Sequence, residues 1–275
     1  MAPLFALHYL PSGPSTRYDS HRVIALQLDG KVAVVTGGGR GLGAAAAWAL
    51  AEAGSDIALL ARSEDQIVTT AREIEDATGR KVLACACDVT DEASVDEAAS
   101  LTIATFGRVD VLVNNAGIAP TAPLLDLDIA ELRRVLDVNV IGAFLCARAF
   151  GAHMVAQRKG TVINMASVAG FGGESDLTAY CASKHALVGL TKALAVEWAR
   201  HGVTVNAIAP GFFRTDLNKH ALDDVKIGPK IVAHIPLRRV GQPEELGPLI
   251  VYLASDAAAY MTGSVVVLDG GQLAR

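Results

Sequence analysis

The stretch Lys31-Val-Ala-Val-Val-Thr36-Gly37-Gly38-Gly39-Arg40-Gly41-Leu42-Gly43, continued by Ala44-Ala45-Ala46-Ala47-Trp48-Ala49-Leu50-Ala51-Glu52-Ala53-Gly54, decides the fold. Residues 31–36 are apolar and β-branched between turn residues, the pattern of a strand buried in a parallel sheet. Residues 44–53 are strong helix formers closed by a glycine. Strand, glycine loop and helix in that order make a nucleotide site the reading to test. Glycine lets the backbone turn tightly and approach a diphosphate, while the helix N-terminus supplies free N–H groups and a favourable dipole. A plain flexible loop between two core elements is the competing reading.

Outward from this unit, apolar runs recur at 31–36, 55–61, 81–87, 109–114, 160–166, 203–208 and 264–268, with helical patterns between them. The clearest helices cover 91–106, 127–157 and 177–201. Such alternation predicts right-handed crossovers in an α/β fold. We expect a single Rossmann-type doubly wound domain, a seven-stranded parallel sheet flanked by helices on both faces. Ligands of such a sheet bind beyond the carboxyl ends of its strands, where strand order reverses. No linker or internal repeat divides the chain, so residues 28–275 read as one domain.

Composition excludes several functions. At 275 residues and 51% hydrophobic, the chain can bury a sizeable core. A formal charge of −5 offers no electrostatic case for nucleic acid or an anionic membrane. No apolar run is expected to reach the roughly 20 residues of a membrane helix. Cys85, Cys87, Cys146 and Cys181 lack the paired spacing of a disulfide framework or zinc site, so no metal is expected. They read as buried, reduced thiols of a cytoplasmic protein.

Residues 1–27 differ from the remainder: an apolar start, then the turn-rich Pro11-Ser-Gly-Pro14. They lack the early positive charge and clear cleavage site of a secretory signal. A flexible extension, one packed on a neighbouring subunit, a transit peptide and a start assigned too early are the open readings.

Tyr180-Cys181-Ala182-Ser183-Lys184 places a phenol and an ammonium one helical turn apart on one face. A phenol of pKa about 10 moves protons poorly at neutral pH; lowering it to about 7 takes roughly 4 kcal/mol. A neighbouring cation and hydrogen bonds in a dry cleft can contribute that.

The glycine spacing Thr36-Gly37-x-x-x-Gly41-x-Gly43 resembles that of the short-chain dehydrogenase/reductase family when joined to Ser167, Tyr180 and Lys184. Asp88-Val89, Asn114-Asn115-Ala116-Gly117, Asn139, Pro210-Gly211 and Thr215 continue the resemblance in order, over about residues 28–271. It implies Tyr180 as the proton donor to a carbonyl oxygen, or acceptor from an alcohol. Ser167 is then the group holding that oxygen, Lys184 the group supporting the phenolate and binding ribose, and Asn139 the anchor of a relay water. Gly37, Gly39, Arg40, Gly41, Leu42 and Gly43 would contact the cofactor diphosphate side. Asp88 and Val89 would flank adenine, and Asn114, Asn115, Ala116 and Gly117 would line the adenosine side and stabilise the central sheet, while Pro210, Gly211 and Thr215 would meet the nicotinamide and diphosphate. Asn206 is expected to be structural. The hydride belongs to the cofactor; the protein positions it.

Cofactor choice follows from charge. Members that prefer NAD carry an acid at the end of the second strand, where this chain has Ala61-Arg62. Arginine grips phosphate through a rigid fork of donors, so Arg62, helped by Arg40, predicts NADP(H) over NAD(H). Solvated surface arginines are the alternative.

The sequence is least informative about substrate. Loops 119–124 and 168–176 and a lid of about 212–235 should surround it, with Phe212, Phe213 and Leu217 as an apolar inner face. Similarity is nearest to 3-oxoacyl-carrier-protein reductases and gluconate 5-dehydrogenase-like members. Glu174 and Asp176 would repel a sugar carboxylate, and Arg214 and Lys219 are the nearby cations. A neutral ketone or secondary alcohol therefore fits better. An enoyl reductase is disfavoured by the four-residue step from Tyr180 to Lys184, shorter than similar enoyl reductases use. A catalytically silent nucleotide-binding protein is the rival of another class. Apolar surface on helices 127–157 and 177–201, with the family's second interface at 264–268, leads us to expect a homotetramer.

Overall fold

The computed structural model of the protein describes residues 26–216 and 218–275. Residues 1–25 of the expected extension, and Leu217 of the expected apolar lid face, lie outside them.

Seven parallel strands form one sheet: β1 (Val32–Thr36), β2 (Asp56–Ala61), β3 (Val82–Ala86), β4 (Val111–Asn114), β5 (Gly160–Met165), β6 (Val203–Pro210) and β7 (Val265–Leu268). Their order is β3-β2-β1-β4-β5-β6-β7. The sequence of strands reverses direction between β1 and β4, so the crevice for a ligand opens above that junction. All seven expected strands are present, every end within two residues of its expected bound, and β6 runs on to Pro210.

Alternating side chains send each strand into two cores. Ala33 and Val35 point to one, with Leu50 of α1 (Gly41–Glu52) and Ile74 of α2 (Glu64–Thr78). Val34 points to the other, with Val95 of α3 (Glu92–Phe106). Beyond β4 the chain forms α4 (Ile129–Leu136), a π-helical turn (Asp137–Ile141) and α5 (Gly142–Gln157), whose Phe150 is fully buried in that second core. Full burial of such a side chain contributes about 1.5–3 kcal/mol. α6 (Thr178–Trp198) packs on the same face. α7 (Lys219–Asp223) and α8 (Gly228–Ala233) lie within residues 212–235, the segment expected as a lid, and α9 (Gly247–Ala254) returns to the first core. Asp91 and Asp128 cap α3 and α4 by accepting from Ala93 N and Ala130 N.

Two expectations are corrected here. The helix expected without interruption over 127–157 is broken by the π turn, which carries Asn139 at its centre. Asn139 is held by the backbone of Ile118, while a side chain at Gly142 would collide with Val89 (2.7 Å), so the turn must place both at once. Residues Ile129–Gln157 are also long and apolar enough, by length and composition, to cross a membrane, contrary to expectation. Of that apolar window 56% is buried inside the protein, which accounts for its hydropathy as core packing.

Buried amides tie α6 to the sheet. Asn114 Nδ2 donates to Asn164 Oδ1 (2.9 Å), and Asn164 Nδ2 donates to Thr191 Oγ1 on α6 (2.9 Å). Asn206 has a structural part, donating to Met261 O and accepting from Ser264 N.

Candidate active site

The glycine loop is folded back against the end of β4. Thr36 Oγ1 accepts from Asn115 N (2.9 Å) and Ala116 N (3.0 Å). Asn115 Nδ2 donates to Thr36 O (3.0 Å) and Gly37 O (3.2 Å). Gly37 has φ 63°, the left-handed region open to glycine. A Cβ on Gly43 would lie 2.2 Å from Gly37 O, so only glycine fits where α1 meets the loop. α1 begins with no side-chain cap and no acid in its first turn, leaving its N–H groups directed at the crevice.

Above this junction lies a cavity of about 810 Å³. Gly37, Gly39, Arg40, Gly41 and Leu42 line its near wall; Gly43 does not, being buried behind the loop, and its expected cofactor contact becomes a packing role. Arg62, Asp88 and Val89 stand at the ends of β2 and β3. Neither Arg40 nor Arg62 forms an ion pair with a described residue. Asp88 accepts from Thr90 N and Thr90 Oγ1, and those bonds, with Arg62 nearby, hold its carboxyl below the usual carboxylate range. Asn115, Ala116 and Gly117 continue the lining, whereas Asn114 is turned into the sheet. Pro210, Gly211 and Thr215 also line the cavity, Thr215 against the glycine loop within 3.6 Å of a Cβ placed at Gly41.

Ser167, Tyr180 and Lys184 share one wall of the cavity. Ser167 ends the segment after β5 and accepts from Ala169 N through its hydroxyl (3.1 Å). Lys184 Nζ lies 5.4 Å from the Tyr180 ring centroid and donates to Met165 O (2.7 Å). Burial pulls the Lys184 ammonium down to about 8. The phenol departs from expectation: burial pushes Tyr180 above its ordinary value, and the Ser167 hydroxyl opposes that rise. A buried phenolate loses hydration, and a lysine whose own charge is penalised compensates it weakly.

Asn139 lies outside the cavity lining and is 1% exposed. Its Oδ1 accepts from Ile118 N (2.8 Å); its Nδ2 donates to Ile118 O (2.9 Å) and Ser183 Oγ (3.0 Å). Ser183 Oγ in turn donates to Tyr180 O (2.7 Å), so the amide joins the loop after β4 to the helix carrying Tyr180 and Lys184.

In the segment expected as a lid, not every residue expected on its inner face lines the cavity. Phe212, Ala221, Ile227 and Ile231 line the cavity. Phe213 also reaches it, yet is 5% exposed and packs into the first core, pairing with Gly241. Arg214 pairs with Asp223 on the lid itself, and Arg214 and Lys219 border a separate depression beside α1. Glu174 lines the cavity; Asp176 does not.

Three residues have positioning roles that the sequence did not assign to them. Thr36 was visible as the last strand residue before the glycines, and Met165 acts through its backbone carbonyl, which no side-chain pattern signals. Asn218 Oδ1 accepts from Thr215 N (3.0 Å), and its Nδ2 donates to Phe213 O (2.7 Å). Its cue was only the step of three from Thr215.

The architecture has many counterparts. The family model described as "Enoyl-(Acyl carrier protein) reductase" matches residues 37–272. A D-threitol dehydrogenase of Mycolicibacterium smegmatis is 41% identical over 245 residues, covering 89% of this chain and 94% of its own. A 3-oxoacyl-[acyl-carrier-protein] reductase of Synechocystis is 41% identical over 248 residues, covering 90% and 98%. The structure of a gluconate 5-dehydrogenase from Burkholderia cenocepacia J2315, in complex with NADP and tartrate, superposes with a TM-score of 0.88. It is 36% identical and covers 91% of this chain and 98% of its own. With the seven-stranded sheet and the ordered glycine, serine, tyrosine and lysine positions, these relationships place the chain in the short-chain dehydrogenase/reductase family of oxidoreductases.

Proposed function

We propose that the protein is an NADP(H)-dependent oxidoreductase interconverting a ketone and a secondary alcohol. One observation carries the reading: Ser167, Tyr180 and Lys184 share a wall of a cavity whose other end holds Arg40 and Arg62, without ion-pair partners among the described residues. The residues fit NADP(H). The uncapped N-terminus of α1 suits the diphosphate, and Arg40 and Arg62 suit a 2′-phosphate. A gluconate 5-dehydrogenase of the same fold, solved with NADP, supports that choice.

When bound, the nicotinamide supplies a hydride to the carbonyl carbon or takes one from the carbinol carbon. Tyr180 gives the oxygen its proton in reduction and removes it in oxidation, so hydride and proton together account for the two hydrogens exchanged. Ser167 holds the reacting oxygen. Lys184, whose Nζ donates to Met165 O, is the cation that would hold the cofactor ribose and favour the phenolate, which burial alone disfavours. Asn139 fixes Ile118 against α6, and would thereby support a relay water on the proton route to Lys184.

Residues 28–275 act as one catalytic domain, with about 212–235 as its lid and 1–27 as an extension. A cytoplasmic homotetramer is the assembly we infer, supported by four buried cysteines without disulfides and by Ile129, Phe144 and Val267, which are exposed on α4, α5 and β7. A sugar-acid dehydrogenase or 3-oxoacyl-thioester reductase is the second reading, supported by relatives of those names. The family description names enoyl reduction, but the four-residue step from Tyr180 to Lys184 favours carbonyl chemistry.

Oxidation of NADPH and of NADH, followed by nicotinamide absorbance against small ketones, β-keto esters and keto sugar acids, tests the proposal. Turnover at least about tenfold more efficient with NADPH is expected from one charge-assisted phosphate contact. A preference for NADH would remove the arginine argument. Binding of NADPH with no turnover of any carbonyl would favour the silent nucleotide-binding protein.

A further inference from the structure

The charges lining the cavity are segregated. Arg40, Arg62 and Asp88 stand at the ends of the strands that meet the adenosine side, and Asp216 lies next to Thr215 at the glycine loop. Lys184 is committed to the Met165 carbonyl in the floor. That leaves Glu174 as the charged side chain on the substrate side of Tyr180 among the described residues, beside the hydroxyls of Ser175 and Thr121.

Glu174 is held there by backbone, not by a partner for its carboxylate. Its carbonyl accepts from Leu177 N (3.3 Å), closing the turn into α6. Asp176, at φ 63°, accepts from Ala122 N (2.9 Å) and so pins this loop to the one after β4. Among the described residues the Glu174 carboxylate makes no hydrogen bond or ion pair, whereas Arg214 is paired with Asp223 and faces the outer depression. A carboxylate at a substrate mouth must keep water or receive donors in its place. An apolar substrate would displace that water without replacing it. An anionic one would add like-charge repulsion, and among the described residues Glu174 has no ion-pair partner to offset it. Hydroxyl groups supply donors to an ionised acceptor, the stronger kind of hydrogen bond.

We propose that Glu174 is a specificity-determining residue selecting a neutral polyhydroxylated substrate, an alditol or its ketose, by accepting hydrogen bonds from hydroxyls beyond the carbinol that reacts. This rests on the oxidoreductase reading above. Thr121 and Ser175 add neutral contacts to the same hydroxyls, and the apolar Ile118 and Ile231 face the carbon chain.

The test uses the full chain with NADP⁺ and compares four probes: alditols of four to six carbons, the aldonates of equal length, cyclohexanol and an amino alcohol. Wild type should favour alditol over aldonate by at least about tenfold in kcat/KM, most of it in KM, the size expected for one like-charge contact. Glu174→Gln should reduce that ratio several-fold and Glu174→Lys should invert it, while turnover of cyclohexanol stays within about threefold, since it has no further hydroxyls to lose contacts. A ratio unchanged in Glu174→Lys, or a wild-type preference for the aldonate or the amino alcohol, would overturn the proposal. If no alcohol is turned over, calorimetric binding of the same probes to the NADP-loaded protein reads the ratio directly. Selectivity that follows Glu174 would then support the ligand assignment and remove the oxidoreductase reading; binding without selectivity would remove both.

Discussion

The glycine loop and the proposed lid line one cavity and are held in opposite ways. Thr36 and Asn115 clamp the loop to β4 through four hydrogen bonds, and the would-be side chain of Gly43 meets Gly37 O at 2.2 Å. The lid depends on short helices, on Asn218, and on an exposed ion pair between Arg214 and Asp223; Val225 and Leu237 are 85% and 64% exposed. Surface ion pairs contribute at most about 1 kcal/mol. The rigid side therefore fixes which cofactor and which reacting oxygen can be held. The compliant side can vary in residue and position without disturbing either, as loops carried on a rigid scaffold do.

That contrast can be broken most severely at the loop. Gly43→Ala should weaken NADPH binding by about 100-fold or more, because the methyl must push Gly37 out of its turn. Fluorescence titration measures it; affinity within about threefold of wild type would show that the loop is looser than its contacts imply.

The floor can be sharpened through Lys184, whose proton is held less tightly in the folded state than in the unfolded chain. Its folded value is about 8 against 10.5 for a lysine in water. The charge is thus penalised in the folded state below about pH 8, and the penalty is relieved as pH rises towards 10.5. Wild type should accordingly gain about 2–3 kcal/mol over Lys184→Met between about pH 7 and about pH 10, measured by denaturant unfolding. A constant difference would mean that Lys184 is better solvated than its burial implies.

Arg62→Ala should raise the Kd for NADPH by about 10- to 100-fold and leave that for NADH within about twofold. Equal losses with both would place Arg62 away from a 2′-phosphate. Ile231→Ala, on the lid, should change KM for the best substrate by only about two- to fivefold and leave NADPH affinity untouched. A larger fall in kcat would mean that the lid shares in the chemistry and would dissolve the contrast.

The rigid side was also the legible side. Alternating strands and helices and the run from Thr36 to Gly43 are enough to position the crevice, because close backbone approach demands specific residue types at fixed spacing. Tyr180 and Lys184 were legible through their step of one helical turn. The state of Tyr180 was not: proximity to Lys184 suggested a lowered phenol, but burial raises it, a quantity that depends on neighbours remote in sequence. Asn139 illustrates a second limit. Its residue type was noticed, yet the π turn that spends its amide on Ile118 and Ser183 has no local periodicity to betray it. In the lid, Phe212 and Phe213 are neighbours of one kind; only packing against Gly241 separates the core anchor from the cavity wall.

The most direct measurement is NADPH-dependent carbonyl reduction in wild type and Tyr180→Phe, with the Kd of NADPH determined for both. The phenylalanine keeps the ring beside Lys184 and removes only the hydroxyl that donates and accepts the proton. The account predicts a loss of about 100- to 10,000-fold in kcat with NADPH affinity within about threefold. Near-wild-type turnover in Tyr180→Phe would contradict it.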